Sequence, residues 1–235
     1  MKKSHIATLI VFLVLIPLTL ILGSRLSGRA FYVTSTLVIV ELLIPFFLAF
    51  EGRRPQAREL VVLAVMCALA VAGRVAIPIP NFKAIFGIIM VAGIAFGPES
   101  GFLVGAISAL ASNFFYSQGP YTPWQMMAYG AGGMLAGFVF ARGRLPRKPV
   151  TMGIFGFLAV TFFVGPLLDT CSVFLVMSRI TLKGAMAFYI SGFPVNLRQA
   201  VATAIVLLVL GKPLLEKLDR IKTKYGILDD GGKEA

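Results

Sequence analysis

Apolar residues along the chain gather into eight runs, at about 6 to 22, 31 to 50, 60 to 79, 84 to 97, 101 to 116, 124 to 141, 150 to 176 and 185 to 210. Most approach the roughly 17 to 25 residues that a bilayer-spanning helix requires. The pattern therefore predicts about eight spanning helices. The run from 84 to 97 is short and the break at Pro98 is weak. A tilted helix followed by a broken one, giving seven spans, is the alternative. Lys2 and Lys3 ahead of the first run look like the start of a signal peptide, but the run is long and Leu22-Gly23-Ser24 offers no small-x-small cleavage site. This segment is predicted as a retained helix.

The charges between the runs set an orientation. With eight spans and both termini inside, the cytoplasmic side collects Lys2, Lys3, Arg53, Arg54, Arg58, Arg142, Arg144, Arg147, Lys148, Lys212, Lys217, Arg220, Lys222, Lys224 and Lys233. The outer side receives Arg25, Arg29, Lys83, Arg179 and Lys183. Basic residues concentrate in cytoplasmic loops, which favours this arrangement. Beyond Lys212, Leu214, Leu218, Ile221 and Tyr225 recur at helical spacing opposite Glu216, Lys217, Arg220 and Lys224. That spacing predicts a short amphipathic helix on the cytoplasmic surface, either lying against lipid or docking a partner. Asp229 to Ala235 are expected to be disordered.

Composition agrees: 58% of residues are apolar, 14% are charged and mean hydropathy is +0.89, against about 25% charged in soluble domains. The net charge of +12 is spread between apolar runs and along the tail, so it reads as topology and not as a nucleic-acid footprint. Cys67 and Cys171 lie within apolar runs without metal-ligand spacing, and His5 has no Cys or carboxylate neighbours. No zinc site, disulfide framework or other cofactor site is indicated.

Small residues at four-residue spacing mark close helix contacts. Ala64, Ala68 and Ala72 form one such stripe; Gly93, Gly97, Gly101 and Gly105 form another, and Gly133 and Gly137 a third. The bland reading is internal packing; the sharper one is that the alanine face meets another subunit. The most distinctive stretch runs from Ser112 to Met126 and mixes Asn113, Gln118 and Gln125 with Tyr116, Tyr121 and Trp124. Its aromatics suit an interfacial belt, but the amides add hydrogen-bonding capacity that a small-molecule pocket uses. Pro78 to Lys83 make a second, proline-stiffened outer loop able to act as a lid or a bare connector.

Glu41, Arg74, Asp169 and Arg198 are ionisable residues inside the apolar runs. Each costs roughly 2.5 to 3.5 kcal/mol unpaired at mid-membrane, so each must face protein, water or a partner charge. Asp169 with Arg198 or Arg74 is a candidate ion pair, with Asn196 and Gln199 adding polarity nearby. Glu41 has no evident partner.

With these stretches the sequence resembles the substrate-binding S components of energy-coupling factor (ECF) vitamin transporters. The resemblance rests on the alanine stripe, on Phe82-Lys83-Ala84-Ile85-Phe86-Gly87 leading into Gly93-Ile94-Ala95-Phe96-Gly97-Pro98, and on Gln118 to Met126. It implies an all-α integral membrane protein with two additional N-terminal helices over 1–57, a six-helix substrate-binding core over 58–212 and a charged cytoplasmic tail over 213–235. It further implies a non-catalytic subunit that captures a vitamin outside and associates with a transmembrane coupling subunit and two cytoplasmic ATPases. The chain carries no Gly-x-x-x-x-Gly-Lys-Ser/Thr loop of its own. Carried over by position, the docking face is Ala64, Ala68 and Ala72. The substrate-binding candidates are Asn81, Lys83, Asn113, Gln118, Tyr121, Trp124, Tyr129, Asp169, Arg179, Tyr189 and Arg198. The Gln118 to Met126 wording most resembles members associated with cobalamin, while pantothenate, riboflavin or folate also suit amides and aromatics. The rival readings are an ion-coupled permease and a membrane-embedded enzyme; the first lacks a visible internal repeat, the second a catalytic constellation.

Overall fold

The computed structural model describes residues 14–15, 18–19, 30–52, 56–140, 143–177 and 179–226. The first expected helix and the end of the tail lie largely outside the described residues. Among the described residues all regular structure is helical, in seven helices: α1 (Ala30–Gly52), α2 (Ala57–Val75), α3 (Ile85–Phe96), α4 (Pro98–Tyr116), α5 (Thr122–Phe140), α6 (Pro149–Val176) and α7 (Leu182–Tyr225). Helices satisfy their backbone hydrogen bonds internally, which is the condition for crossing a bilayer. α6 and α7 are long and apolar enough to cross on length and hydropathy alone. α2, α4 and α5 are 19 residues each, roughly 28 Å of helix, close to the hydrocarbon thickness.

α3 sits at the centre. All twelve of its residues are buried, so it is apolar all round because protein surrounds it on every side. The weak break foreseen at Pro98 is a true chain reversal. Gly97 adopts φ 95°, a left-handed value that suits glycine, and Pro98 starts α4 with its preset φ.

The glycine stripes build this centre. A Cβ at Gly93 or Gly101 would run into the carbonyl oxygen of Gly133, one at Gly105 into that of Tyr129, and one at Gly137 into Pro98. α3, α4 and α5 therefore approach backbone to backbone, as small-residue stripes permit. The alanine stripe behaves differently. Leu63, Met66, Cys67 and Ala70 carry the buried face of α2, whereas Ala64, Ala68 and Ala72 are exposed beside exposed Val61, Val65 and Leu69.

α1 packs across α4, α5 and α6, with Phe47 edge-on to Phe102 at 6.4 Å and Ile39 against Trp124 and Cys171. Glu41 on α1 accepts a 2.5 Å hydrogen bond from Thr19. The amphipathic segment expected beyond Lys212 is not a separate helix. It continues α7 through a π-turn at Leu207–Gly211. It buries Leu215 and Leu218, and Lys222 donates to the Ala95 carbonyl at 2.7 Å. Arg147 pairs with Asp219 at 3.5 Å at the same end. The helix thus caps the C-terminal end of α3.

Candidate binding site

A cavity of about 420 Å³ opens where α2 and α4 end and α3 begins, lined by Arg74, Pro78, Pro80, Asn81, Lys83, Ile85, Tyr116, Tyr129 and Gln199. The loop after α2 is held in place by short-range bonds. Asn81 takes φ 58°, a left-handed conformation that asparagine tolerates better than most residues. The Phe82 amide donates to Ile79 O at 3.3 Å and the Ala84 amide to Gly73 O at 3.1 Å. Gln199 Nε2 on α7 donates to Lys83 O at 2.7 Å, and Lys83 Nζ donates to the Ile77 carbonyl.

Arg74 lies in the last turn of α2, and its guanidinium is anchored from below. Nη1 donates to Asn113 Oδ1 at 2.9 Å and to Ser112 Oγ. The same guanidinium lies 4.9 Å from the Tyr116 ring centre and 5.6 Å from that of Tyr129, both suitable for cation–π attraction. Tyr116 returns a 3.0 Å bond from its hydroxyl to Arg74 O. Tyr129 is buried and stands edge-on to Phe86 at 4.5 Å.

Three of the residues singled out from the sequence, Asn81, Lys83 and Tyr129, line the cavity. Asn113 lies directly beneath it, fully buried, holding Arg74 with one side of its amide and donating to Thr122 (3.1 Å) and Gln125 (2.9 Å) with the other. Gln118 folds back on its own turn, donating to Leu110 O at 3.0 Å and accepting from Thr122 at 2.9 Å. Tyr121 bonds Ser117 O at 2.8 Å, and Trp124 packs on Phe174 of α6. None of these three lines the cavity.

Asp169 and Tyr189 belong to a separate seam between α6 and α7. Asn196 donates to Asp169 at 2.7 Å, and Thr170 and Tyr189 share a 2.8 Å bond. Arg198 is exposed and donates to Pro194 O at 3.3 Å; Arg179 is exposed in the α6–α7 connection. The ion pair foreseen between Asp169 and Arg198 or Arg74 is thus replaced by three local arrangements, because an amide or carbonyl lies closer to each group than an opposite charge. Arg74, Tyr116 and Gln199 also line the cavity, beyond the binding candidates expected from the sequence. The signal for Arg74 was available, since a cation in an apolar helix requires a function or a partner.

Among the described residues no cluster of His, Cys, Asp or Glu is arranged to hold a metal ion. The cavity offers aromatic faces, amides and cations, a set suited to gripping a small polar heterocycle. A family model described as ECF-type riboflavin transporter, S component, matches residues 55–216. The chain belongs to that family. No curated protein and no solved structure matches it. As an S component it is a membrane protein and a non-catalytic, substrate-binding transporter subunit that works with an ECF module of coupling and ATPase subunits. The matched region coincides with α2 to α6 and most of α7, so α1 lies outside it.

Proposed function

We propose that this S component captures a flavin-sized heterocyclic vitamin in the cavity between α2, α4, α5 and α7, at the outer membrane face. The carrying observation is the cavity itself. Its volume of about 420 Å³ falls near the lower end of the range for pockets that enclose drug-sized ligands. Tyr116 and Tyr129 supply ring faces, and Asn81, Gln199, Lys83 and Arg74 supply polar contacts. The family's name points to riboflavin as the reference ligand. A corrinoid, with its macrocycle and appended nucleotide, is much larger than a flavin, so this volume supports the smaller class over cobalamin.

The outward orientation is supported by charge. Arg58, Arg147, Lys222 and Lys224 gather at the end of the bundle opposite the cavity, as expected of a cytoplasmic face. The exposed stripe of Ala64, Ala68 and Ala72 supports docking of the coupling subunit along α2, because side chains this small let a second helix approach closely.

Calorimetric titration of the purified chain with riboflavin, pantothenate, folate and cobalamin tests the ligand class. One-to-one binding of a flavin-sized vitamin, weakened about tenfold or more by Tyr129→Ala, is expected. Binding of cobalamin alone would transfer the assignment to corrinoids. No binding across the panel would refute the cavity as a vitamin site.

A further inference from the structure

The charge inside the cavity is one-sided. Its lining holds two cations, Arg74 and Lys83, and no carboxylate. Both flank the same ring, Arg74 at 4.9 Å and Lys83 at 5.9 Å from the centre of Tyr116. The ion pairs Arg147–Asp219, Lys212–Glu216 and Lys222–Asp219 lie at the opposite end. The hydrogen bonds that Arg74 and Lys83 make there go to neutral oxygens: Ser112, Asn113 and the Ile77 carbonyl. These contacts orient the two side chains without neutralising them.

Two like charges around one ring repel each other, and partial burial strengthens that repulsion relative to bulk water. An anion placed between them relieves it and converts both into charge-assisted donors. Arg74 has capacity for this, because Nη1 makes its anchoring bonds while Nε and Nη2 make none among the described residues. A guanidinium fixed on one edge and open on the other presents a preorganised fork to a carboxylate or phosphate. A cleft lined by one sign of charge also concentrates ligands of the opposite sign.

Resting on the vitamin-binding reading above, we infer that the cavity selects a ligand bearing a negative group, a carboxylate or a phosphate, held between Arg74 and Lys83 while its ring lies against Tyr116 and Tyr129. Neutral riboflavin meets the ring contacts but leaves both cations unpaired. The natural ligand is therefore an acidic relative of such a heterocycle.

Two matched pairs separate the charge from the scaffold: riboflavin against riboflavin 5′-phosphate, and nicotinamide against nicotinate. Each is titrated against the purified full-length chain at low and high salt. The anionic member of at least one pair is expected to bind about tenfold or more tightly, with the ratio shrinking in high salt. Which pair responds tells phosphate from carboxylate. Lys83→Met and Arg74→Gln are each expected to bring that ratio toward one, and Arg74→Lys to retain part of it. If Arg74→Gln fails to fold, Lys83→Met on the loop between α2 and α3 carries the test. Equal or tighter binding of the neutral members would overturn the charge inference and leave the vitamin site standing. A preference that survives both substitutions would also overturn it, since the selecting charge would lie elsewhere. Failure of all four compounds to bind a folded protein would overturn the vitamin reading and the inference together.

Discussion

Asn113 Oδ1 on α4 accepts a 2.9 Å hydrogen bond from Arg74 Nη1 on α2, so a fully buried amide fixes the cation that lines the cavity. The same side chain donates to Thr122 and Gln125 at the start of α5. One residue thereby ties three helices together directly beneath the cavity. A side chain that satisfies several buried groups leaves all of them unpaired when it is removed.

Asn113→Ala is accordingly expected to destabilise the protein by about 2 to 4 kcal/mol and to weaken ligand binding by releasing Arg74. Thermal unfolding of the purified variant followed by titration checks both effects. A variant with wild-type stability and affinity would show that the α2–α4–α5 network is dispensable.

Gly133 faces the carbonyl oxygen of Gly101 and the side chain of Ile89. Gly133→Val forces α4 and α5 apart and is expected to cost about 3 kcal/mol or more. Its measure is the yield of monodisperse protein in detergent and the melting temperature, compared with Gly143→Ala, a position at which no atom lies within 4 Å of the added Cβ. The comparison variant carries a positive φ of 71°, so a small loss is expected there from backbone strain alone.

Ala68 lies mid-stripe on the exposed face of α2, away from the cavity lining. Ala68→Leu is expected to reduce co-purification with the ECF coupling subunit about tenfold by blocking close helix approach, while calorimetric ligand affinity is retained. Undiminished co-purification would remove α2 from the interface.

Much of the helical architecture was legible because apolar run length is a direct consequence of bilayer thickness. The second to eighth runs correspond to α1 through α7, and the break at Pro98 coincides with a helix start. The direction in which each helix turns its faces was far less legible. In lipid the outside of a bundle is as apolar as its core, so a 3.6-residue pattern does not tell the two apart. The alanine and glycine stripes share one spacing, yet the first is exposed and the second sealed.

The cavity residues show a similar limit. Gln118, Tyr121 and Trp124 have the chemistry of a pocket, but the tight turn around Gly119 directs Gln118 and Tyr121 onto neighbouring backbone and Trp124 toward α6. Arg74 was visible as a cation in an apolar helix. Its role depended on where Asn113 and Tyr116 stand, which only the packing of α2 against α4 reveals.

The continuity of α7 has a mechanical meaning. Its 44 residues amount to roughly 66 Å of helical rise, against about 40 to 45 Å for a bilayer with its headgroups. The helix must therefore project into water or lean strongly. It carries Gln199 in the cavity and Asp219 and Lys222 at the far end of the bundle. No loop separates the two ends, so a change of tilt at one reaches the other through the π-turn at Leu207–Gly211, the point between them where the helix can bend.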